Sequence, residues 1–278
     1  MKCWDMDTFI VLFGKIVYKI SLLSKHLPSL FLSIFLALLA VRPALATDDK
    51  SAHDRVERMI HKMRGHINVS EYEMTVQRPA WSRSVKMRIW DDRTRKRVFV
   101  RITDPAKDNG TSFLRLDYNL WNYLPSVEKV LKIPPSMMLQ PWMGSDFTND
   151  DLVKESSYID DYDHQQVAKE QRDGLSLVKI EMIPHPQAPV VWGKVIYWVR
   201  EQDDLPVEQQ FLDEKGQLIK RLLFTDFKTL DGVLLPTHWE MSAVLKPGQK
   251  TTLQLQSIDF DPSPAIPEST FTERNLRP

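Results

Sequence analysis

Apolar residues at helical spacing mark the segment that begins near Ser51. They recur at intervals of three and four residues, with charged side chains between them: Val56, Met59, Ile60 and Met63. This period places all four on one face of a helix. Aspartates precede the segment and Gly65 follows it, which marks its two ends. We predict an amphipathic helix that lies, as a lid, on an apolar surface made by the rest of the chain.

Beyond Gly65 the apolar period changes to two. Short alternating runs predict strands at residues 81–89, 98–102, 176–183, 194–199, 218–227 and 251–260. Turn signals such as Asp108-Asn109-Gly110 and Asp231-Gly232 separate many of them. Strands joined in this way indicate a meandering antiparallel sheet and not βαβ units. Because alternation makes one face of each strand apolar, that face of the sheet must be covered.

The region 111–153 is the densest in aromatic residues, methionine and proline. Its prolines exclude a long helix, since proline is confined to strand ends and loops. We predict strands at 113–116, 120–124 and 129–133. A loop over the sheet and a helical turn at 146–152 follow them.

That loop carries apolar side chains where a polar surface is usual. Methionine adapts to apolar partners of varied shape, and tryptophan suits the mouth of an apolar cavity. We therefore take the apolar residues of this region as candidates for lining a ligand groove: Phe113, Leu116, Trp121, Tyr123, Met137, Met138, Trp142, Met143 and Phe147. The alternative is that the same residues simply close the core.

The first 46 residues differ from the rest. Residues 27–41 are apolar and uncharged, they follow Lys25, and they lead to Ala44-Leu45-Ala46. This order is typical of a secretory signal peptide with an A-x-A cleavage site. The apolar stretch is shorter than the about 20 residues of a membrane-spanning helix, although a retained anchor is the alternative. We predict a signal peptide at 1–46, cleavage after Ala46, a periplasmic location and a single domain at 47–278.

Charge and cysteine content narrow the function. Residues 1–46 hold five basic and two acidic side chains, whereas the whole chain has 37 of each, so the remainder has a net charge of −3. A mildly acidic protein is a poor nucleic-acid binder. The single cysteine is Cys3, so the exported part has no thiol for nucleophilic catalysis or zinc binding.

Other candidate chemistry is sparse. A G-x-S-x-G motif is missing from the sequence, which gives a lipase no support. Asp146 or Thr148 fits a helix cap better than a catalytic role. Residues 160–164 could hold a metal, but we favour an exposed acidic turn, because their spacing matches no defined metal-binding loop. The basic run 93–97 fits a solvated hairpin tip, with anionic headgroups or a partner as the alternative. We expect no catalytic residue, metal or cofactor.

Three motifs carry a resemblance to a known family. They are Trp-x-Tyr-x-Pro at 121–125, a Lys-Ile pair at 132–133, and Gly-Ser-Asp-Phe at 144–147 before an acidic helix. With them the chain resembles the outer-membrane lipoprotein-sorting proteins of the LolA-like superfamily, from the helix at Ser51 to Thr270-Phe271-Thr272. The resemblance implies a mainly β fold with a helical lid: an incomplete antiparallel β-barrel capped by short helices.

The same resemblance implies a function. It suggests a non-catalytic periplasmic carrier that holds a lipid, or the acyl chain of a lipoprotein, in an apolar groove for transfer towards the outer membrane. An inner-membrane transporter of the resistance–nodulation–division class is the implied partner. An envelope sensor on the same scaffold is the alternative, although the chain shows no second domain for signalling. An enzyme acting on envelope lipid would need a convergent set of titratable groups, which the sequence does not show.

Overall fold

The computed structural model describes residues 50–154, 157–188 and 190–278. The predicted signal peptide and its cleavage site lie outside these residues. The helices are α1 (Lys50–Arg64), α2 (Asn149–Lys154) and α3 (Ser157–Asp160). In the described part of the chain, no helix has the length and apolarity that a membrane span needs.

The described residues form thirteen strands. In chain order they are β1 (Ile67–Arg78), β2 (Trp81–Asp92), β3 (Arg97–Asp104), β4 (Ser112–Leu116), β5 (Asn119–Leu124), β6 (Lys129–Lys132), β7 (Tyr162–Arg172), β8 (Leu175–Pro184), β9 (Lys194–Arg200), β10 (Pro206–Leu212), β11 (Leu218–Leu230), β12 (Val233–Ala243) and β13 (Lys250–Phe260).

All thirteen strands belong to one open antiparallel sheet. The meander β1–β6 and the meander β7–β13 are joined where β1 pairs with β13, with Asn68 opposite Phe260. β6 and β7 are therefore the two edges of the sheet. The predicted mainly β, antiparallel fold is confirmed, and a single open sheet with few helices is what an incomplete barrel requires.

The alternation rule did not identify four of the strands: β1, β7, β10 and β12. In β1 the inward positions include the polar residues Asn68 and Ser70, which break the apolar period. β7 begins inside the acidic run 160–164. The interpretation of that run as an exposed turn is wrong for Tyr162 and His164, because both are buried. Alternation fails wherever polar side chains occupy inward positions.

The strand register aligns apolar residues on one face, which we call the inner face. One row of paired residues crosses five strands: Ile180, Tyr197, Gln209, Leu222 and Met241. The apolar side of α1 packs on this half of the inner face through Val56, Met59 and Ile60. The predicted amphipathic helix is thus present, and it ends at Gly65, whose φ of +62° suits glycine.

The segment 133–161 connects the two edge strands, and we call it the crossing segment. It begins after β6, contains α2 and α3, and ends before β7. Thr148 caps α2: the Asp151 N–H donates to Thr148 Oγ1 at 3.2 Å, and the Thr148 N–H donates to Asp151 Oδ2 at 2.7 Å. This reciprocal pair is a capping box. Of the two predicted caps, Thr148 is the one that acts.

On the opposite, outer face, the C-terminal segment, residues 266–276, covers β3, β4 and β5. Phe271 and Leu276 pack there on Phe99, Leu114 and Tyr123. Ion pairs hold the segment in place, since the Glu268 carboxylate accepts from Arg97 Nη1 at 2.6 Å and also from Arg95. As predicted, the basic run forms the exposed tip of the β2–β3 hairpin, and Arg95 and Arg97 there also pair with the Glu268 carboxylate.

We predict that attachment of the C-terminal segment weakens in acid. Hydrogen bonds from Arg97 and Arg95 lower the pKa of Glu268 to about 2. Because folding lowers this pKa, the ionised Glu268 stabilises the folded protein at pH values above its unfolded pKa of about 4.5. That stabilisation is lost as the pH falls towards about 2. Glu268→Gln should therefore lower the urea midpoint at neutral pH, and its difference from the unmodified protein should vanish near pH 2.

The measurement is urea unfolding at pH values from about 7 to about 2. Glu273→Gln is the matched control, because Glu273 is an exposed carboxylate in the same segment. Equal midpoints for Glu268→Gln and the unmodified protein at neutral pH would contradict the prediction.

Candidate functional site

A cavity lies between the inner face, α1 and the crossing segment. Its volume is about 190 Å³, and it is partly open to solvent. A single water molecule needs only about 10–15 Å³ of such volume. Voids of this size are rare in protein interiors, which are close-packed. The inner face is therefore covered without being filled.

The wall of the cavity is mostly apolar and draws on both halves of the sheet. The first meander contributes Met87, Val98, Val100 and Phe113, and the second contributes Phe211, Leu222, Phe224 and Met241. Met59, Ile60 and Met63 of α1 close one side. The crossing segment closes another with Trp142, Phe147, Leu152 and Tyr158.

The structure separates the residues that the sequence grouped as groove candidates. Phe113, Trp142 and Phe147 line the cavity. Met138 and Met143 pack beside the inner-face cluster, and Met137 is exposed. Three others lie in the outer-face cluster under the C-terminal segment: Leu116, Trp121 and Tyr123. Of the predicted lid residues, Met59, Ile60 and Met63 line the cavity. Val56 is fully buried where α1 packs on the sheet.

The Gly-Ser-Asp-Phe motif positions two of the lining aromatic residues. A tight turn at Met143 and Gly144, both with positive φ, lets the Trp142 N–H donate to the Phe147 carbonyl at 2.8 Å. The Trp142 ring meets Phe113 edge-on, with centroids 5.3 Å apart. Asp146, which lies between these two aromatic residues in the sequence, is held by side chains of β1 and β13.

Asp146 anchors the turn to the sheet. Its Oδ2 atom accepts from Arg78 Nη1 at 2.9 Å and from Thr251 Oγ1 at 2.7 Å. Arg78 Nη2 also donates to the Gly144 carbonyl at 2.8 Å. The motif thus ties the crossing segment to β1 and β13, which holds Trp142 and Phe147 over the cavity.

A second anchor lies at α2. Asp151 lines the cavity, and its Oδ2 accepts from Lys220 Nζ of β11 at 2.5 Å. Both side chains are almost completely buried. The Lys220 ammonium also lies 4.9 Å from the ring centroids of Trp192 and Phe211. One carboxylate therefore caps α2 and joins it to the second meander.

Polar groups occupy a limited part of the wall. Arg64, at the end of α1, forms a buried ion pair with Asp91 at 2.7 Å. The Asn68 amide donates to the Arg64 carbonyl at 2.8 Å. Arg115, only 2% exposed, and Gln209 also line the cavity. These groups were not predicted from the sequence. The sequence offers one indication of such groups: a polar residue two positions from an inward apolar residue of the same strand. Gln209 stands in this relation to Phe211.

The histidines are held by other groups of the protein. His164 is fully buried, with Nε2 2.8 Å from the Tyr158 carbonyl and Nδ1 3.3 Å from His53 Nδ1. Burial, together with the neighbouring His66, lowers the pKa of His61. The described residues contain no group of three or more His, Cys, Asp or Glu side chains placed to hold a metal. The described residues that line the cavity include neither histidine nor cysteine.

Comparisons with known proteins agree with this architecture. A family model described as an uncharacterized protein matches residues 94–278, and a comparison with curated proteins gives no match. A solved DUF1329 family protein from Desulfovibrio piger is 22% identical, with a TM-score of 0.76, over 83% of this chain and 100% of its own. The chain belongs to a family with the LolA-like fold.

Two further solved structures share the LolA-like fold. A domain from Vibrio parahaemolyticus assigned to outer membrane lipoprotein sorting is 22% identical, with a TM-score of 0.71, over 82% of this chain and 98% of its own. A LolA superfamily protein from Nitrosomonas europaea is 20% identical, with a TM-score of 0.68, over 81% of this chain and 98% of its own. The similarity therefore spans nearly the whole described sheet of this LolA-like chain.

We predict that the anchor at α2 is important for stability. Lys220→Met should lower the free energy of unfolding by about 3 kcal/mol, because it leaves the buried Asp151 carboxylate without its cation. Urea unfolding measures the change. Lys228→Met is the matched control, since Lys228 is exposed on the same strand. A loss no larger than that of the control would show that the buried pair does not hold the crossing segment.

Proposed function

We propose that this chain is a periplasmic carrier that shields a lipid, or the acyl chain of a lipoprotein, for transfer towards the outer membrane. The observation that supports this proposal is the apolar hollow of about 190 Å³ on the inner face of a LolA-like sheet. Each methylene group removed from water contributes about 0.8 kcal/mol, so a continuous apolar hollow binds an acyl chain without directional bonds.

The proposed role requires no chemical change in the cargo. Capture and release need only a change in the cover, and we propose that α1 is a lid. Its contribution to the cavity is Met59, Ile60 and Met63. Methionine is flexible and fits apolar partners of varied shape, which suits a wall that must accept and release a chain.

Location and partner belong to the same proposal. The apolar segment 27–41 and the Ala44-Leu45-Ala46 site support export. The assignment of the Vibrio domain to outer membrane lipoprotein sorting supports an envelope cargo. An inner-membrane transporter of the resistance–nodulation–division class is the proposed source of that cargo.

The first test is saturable binding of a fluorescent fatty acid to the purified, delipidated protein. We expect binding to the unmodified protein and a loss of at least about tenfold in affinity for Val98→Trp, because the larger side chain fills part of the hollow. Val98 lies at a partly buried position of the cavity wall, where the protein is able to accommodate a larger side chain.

Val167→Trp is the matched control, since Val167 carries the same side chain at an exposed position of β7. It should bind the fatty acid as the unmodified protein does. Solvent extraction and mass spectrometry of the protein as purified complete the test. A protein that retains no lipid and takes up no fatty acid would contradict the carrier proposal.

The proposed export makes a separate prediction. Signal peptidase should cut after Ala46, because small residues occupy the two positions that it reads. N-terminal sequencing of the protein recovered from the periplasm should therefore begin at Thr47. A protein that retains residues 1–46 would favour a membrane anchor instead.

A further inference from the structure

Two neutral hydrogen-bond donors that are buried in the cavity wall lack an acceptor. Trp142 Nε1 and Gln209 Nε2 have no hydrogen-bond partner within the described residues. Each residue is only 3% exposed, and both line the cavity. Buried polar groups are nearly always hydrogen-bonded, so each exception calls for an explanation.

Strand register fixes the direction of Gln209. It pairs with Tyr197 on β9 and Leu222 on β11, both of which line the cavity. Its neighbour Gln210 points to the opposite face, where its amide donates to Glu208 Oε1 at 2.6 Å. The chain thus places one glutamine amide against a carboxylate outside the cavity and the other against the hollow.

Trp142 approaches from the other side. It packs with the first meander, next to Phe113, whereas Gln209 lies in the second meander. The turn held by Asp146 fixes the tryptophan backbone, as described above. The two residues that carry the donors therefore belong to different walls of the cavity.

Such donors change what the hollow selects. Both donor atoms are buried and unpaired in the described structure, so a ligand that lacks acceptors leaves them unpaired. A ligand carbonyl that accepts a hydrogen bond from one of them gains about tenfold in affinity. Sites of this kind discriminate strongly against analogues that lack the matching polar atom.

We propose that the cavity binds an ester-bearing acyl lipid, whose carbonyl oxygens accept hydrogen bonds from Trp142 Nε1 and Gln209 Nε2. This inference rests on the carrier function proposed above and defines its cargo. Plain hydrocarbon chains and ether-linked chains are poor ligands. A free diacyl phospholipid and the diacylglyceryl group of a lipoprotein share the ester chemistry.

The test compares matched ligands by calorimetry. Diheptanoyl-phosphatidylcholine and its diether analogue differ only in the two carbonyl oxygens, and both are used below their critical micelle concentrations. We expect the unmodified protein to bind the diester at least about tenfold more tightly. A short diacylglyceryl-cysteine peptide provides a third arm. Tighter binding of the peptide supports a lipoprotein source, and tighter binding of the diester phospholipid supports a free lipid.

Variants then assign the preference to the two donors. Gln209→Leu and Trp142→Phe should each reduce the preference for ester over ether, measured as the ratio of the two affinities. Gln210→Leu makes the same chemical change on the outer face and should keep the full preference. Thermal melts establish that each variant is folded.

The outcomes separate this inference from the carrier function. Equal affinity for diester and diether in the unmodified protein overturns the inference and leaves the carrier function standing. A preference that survives in both variants also overturns it. Failure of the unmodified protein to bind either phospholipid or the peptide overturns the carrier function itself. Because the ligand comparison uses the unmodified protein, the test does not depend on the folding of any variant.

Discussion

The structure depends on covering the apolar inner face of an open sheet without filling it. The two edge strands, β6 and β7, do not pair with each other, so the sheet cannot exclude water by closing. α1 and the crossing segment provide the cover instead. They are attached where polar side chains meet: Arg78 with Asp146, Lys220 with Asp151, and Arg58 with Asp204 at 2.7 Å. Because these polar contacts help to hold the cover in place, the cavity beneath it does not have to be filled by packed side chains.

The polar attachments differ in strength, because burial decides what an ion pair contributes. Lys220 and Asp151 are almost fully buried, so removal of one partner leaves an uncompensated charge in an apolar setting. Arg58, which holds α1 to the loop after β9, is half exposed, and exposed pairs contribute about 0–1 kcal/mol. The crossing segment is thus fixed firmly. α1 is held by both kinds of pair, since Arg64 with Asp91 and Arg55 with Asp204 are largely buried, whereas Arg58 is partly screened by water.

Both faces of the first meander are covered, and this shapes its sequence. Phe113 and Arg115 point inward while Leu114 and Leu116 point outward beneath the C-terminal segment. Strands covered on both sides lose the alternation that marks a sheet with one wet face. The same double cover explains why aromatic residues are so dense between residues 111 and 153. Of the six aromatic residues in this region, three line the cavity, two belong to the outer cluster and Tyr118 is exposed. Arg97 extends the outer cluster, since its guanidinium lies 4.3 Å from the centre of the Phe271 ring.

The sequence by itself determined α1, most strands and the turns between them. These follow from local periodicity and turn chemistry, which act over a few residues. Only the tertiary structure decided that Phe113 and Trp142 line the hollow while Trp121 and Tyr123 do not. Alternation sorts residues into two faces but does not tell which face encloses a cavity when both are apolar. The inward positions of Gln209, Arg115 and Asp91 were likewise not predictable, because the residues that surround them come from strands and helices distant in the chain.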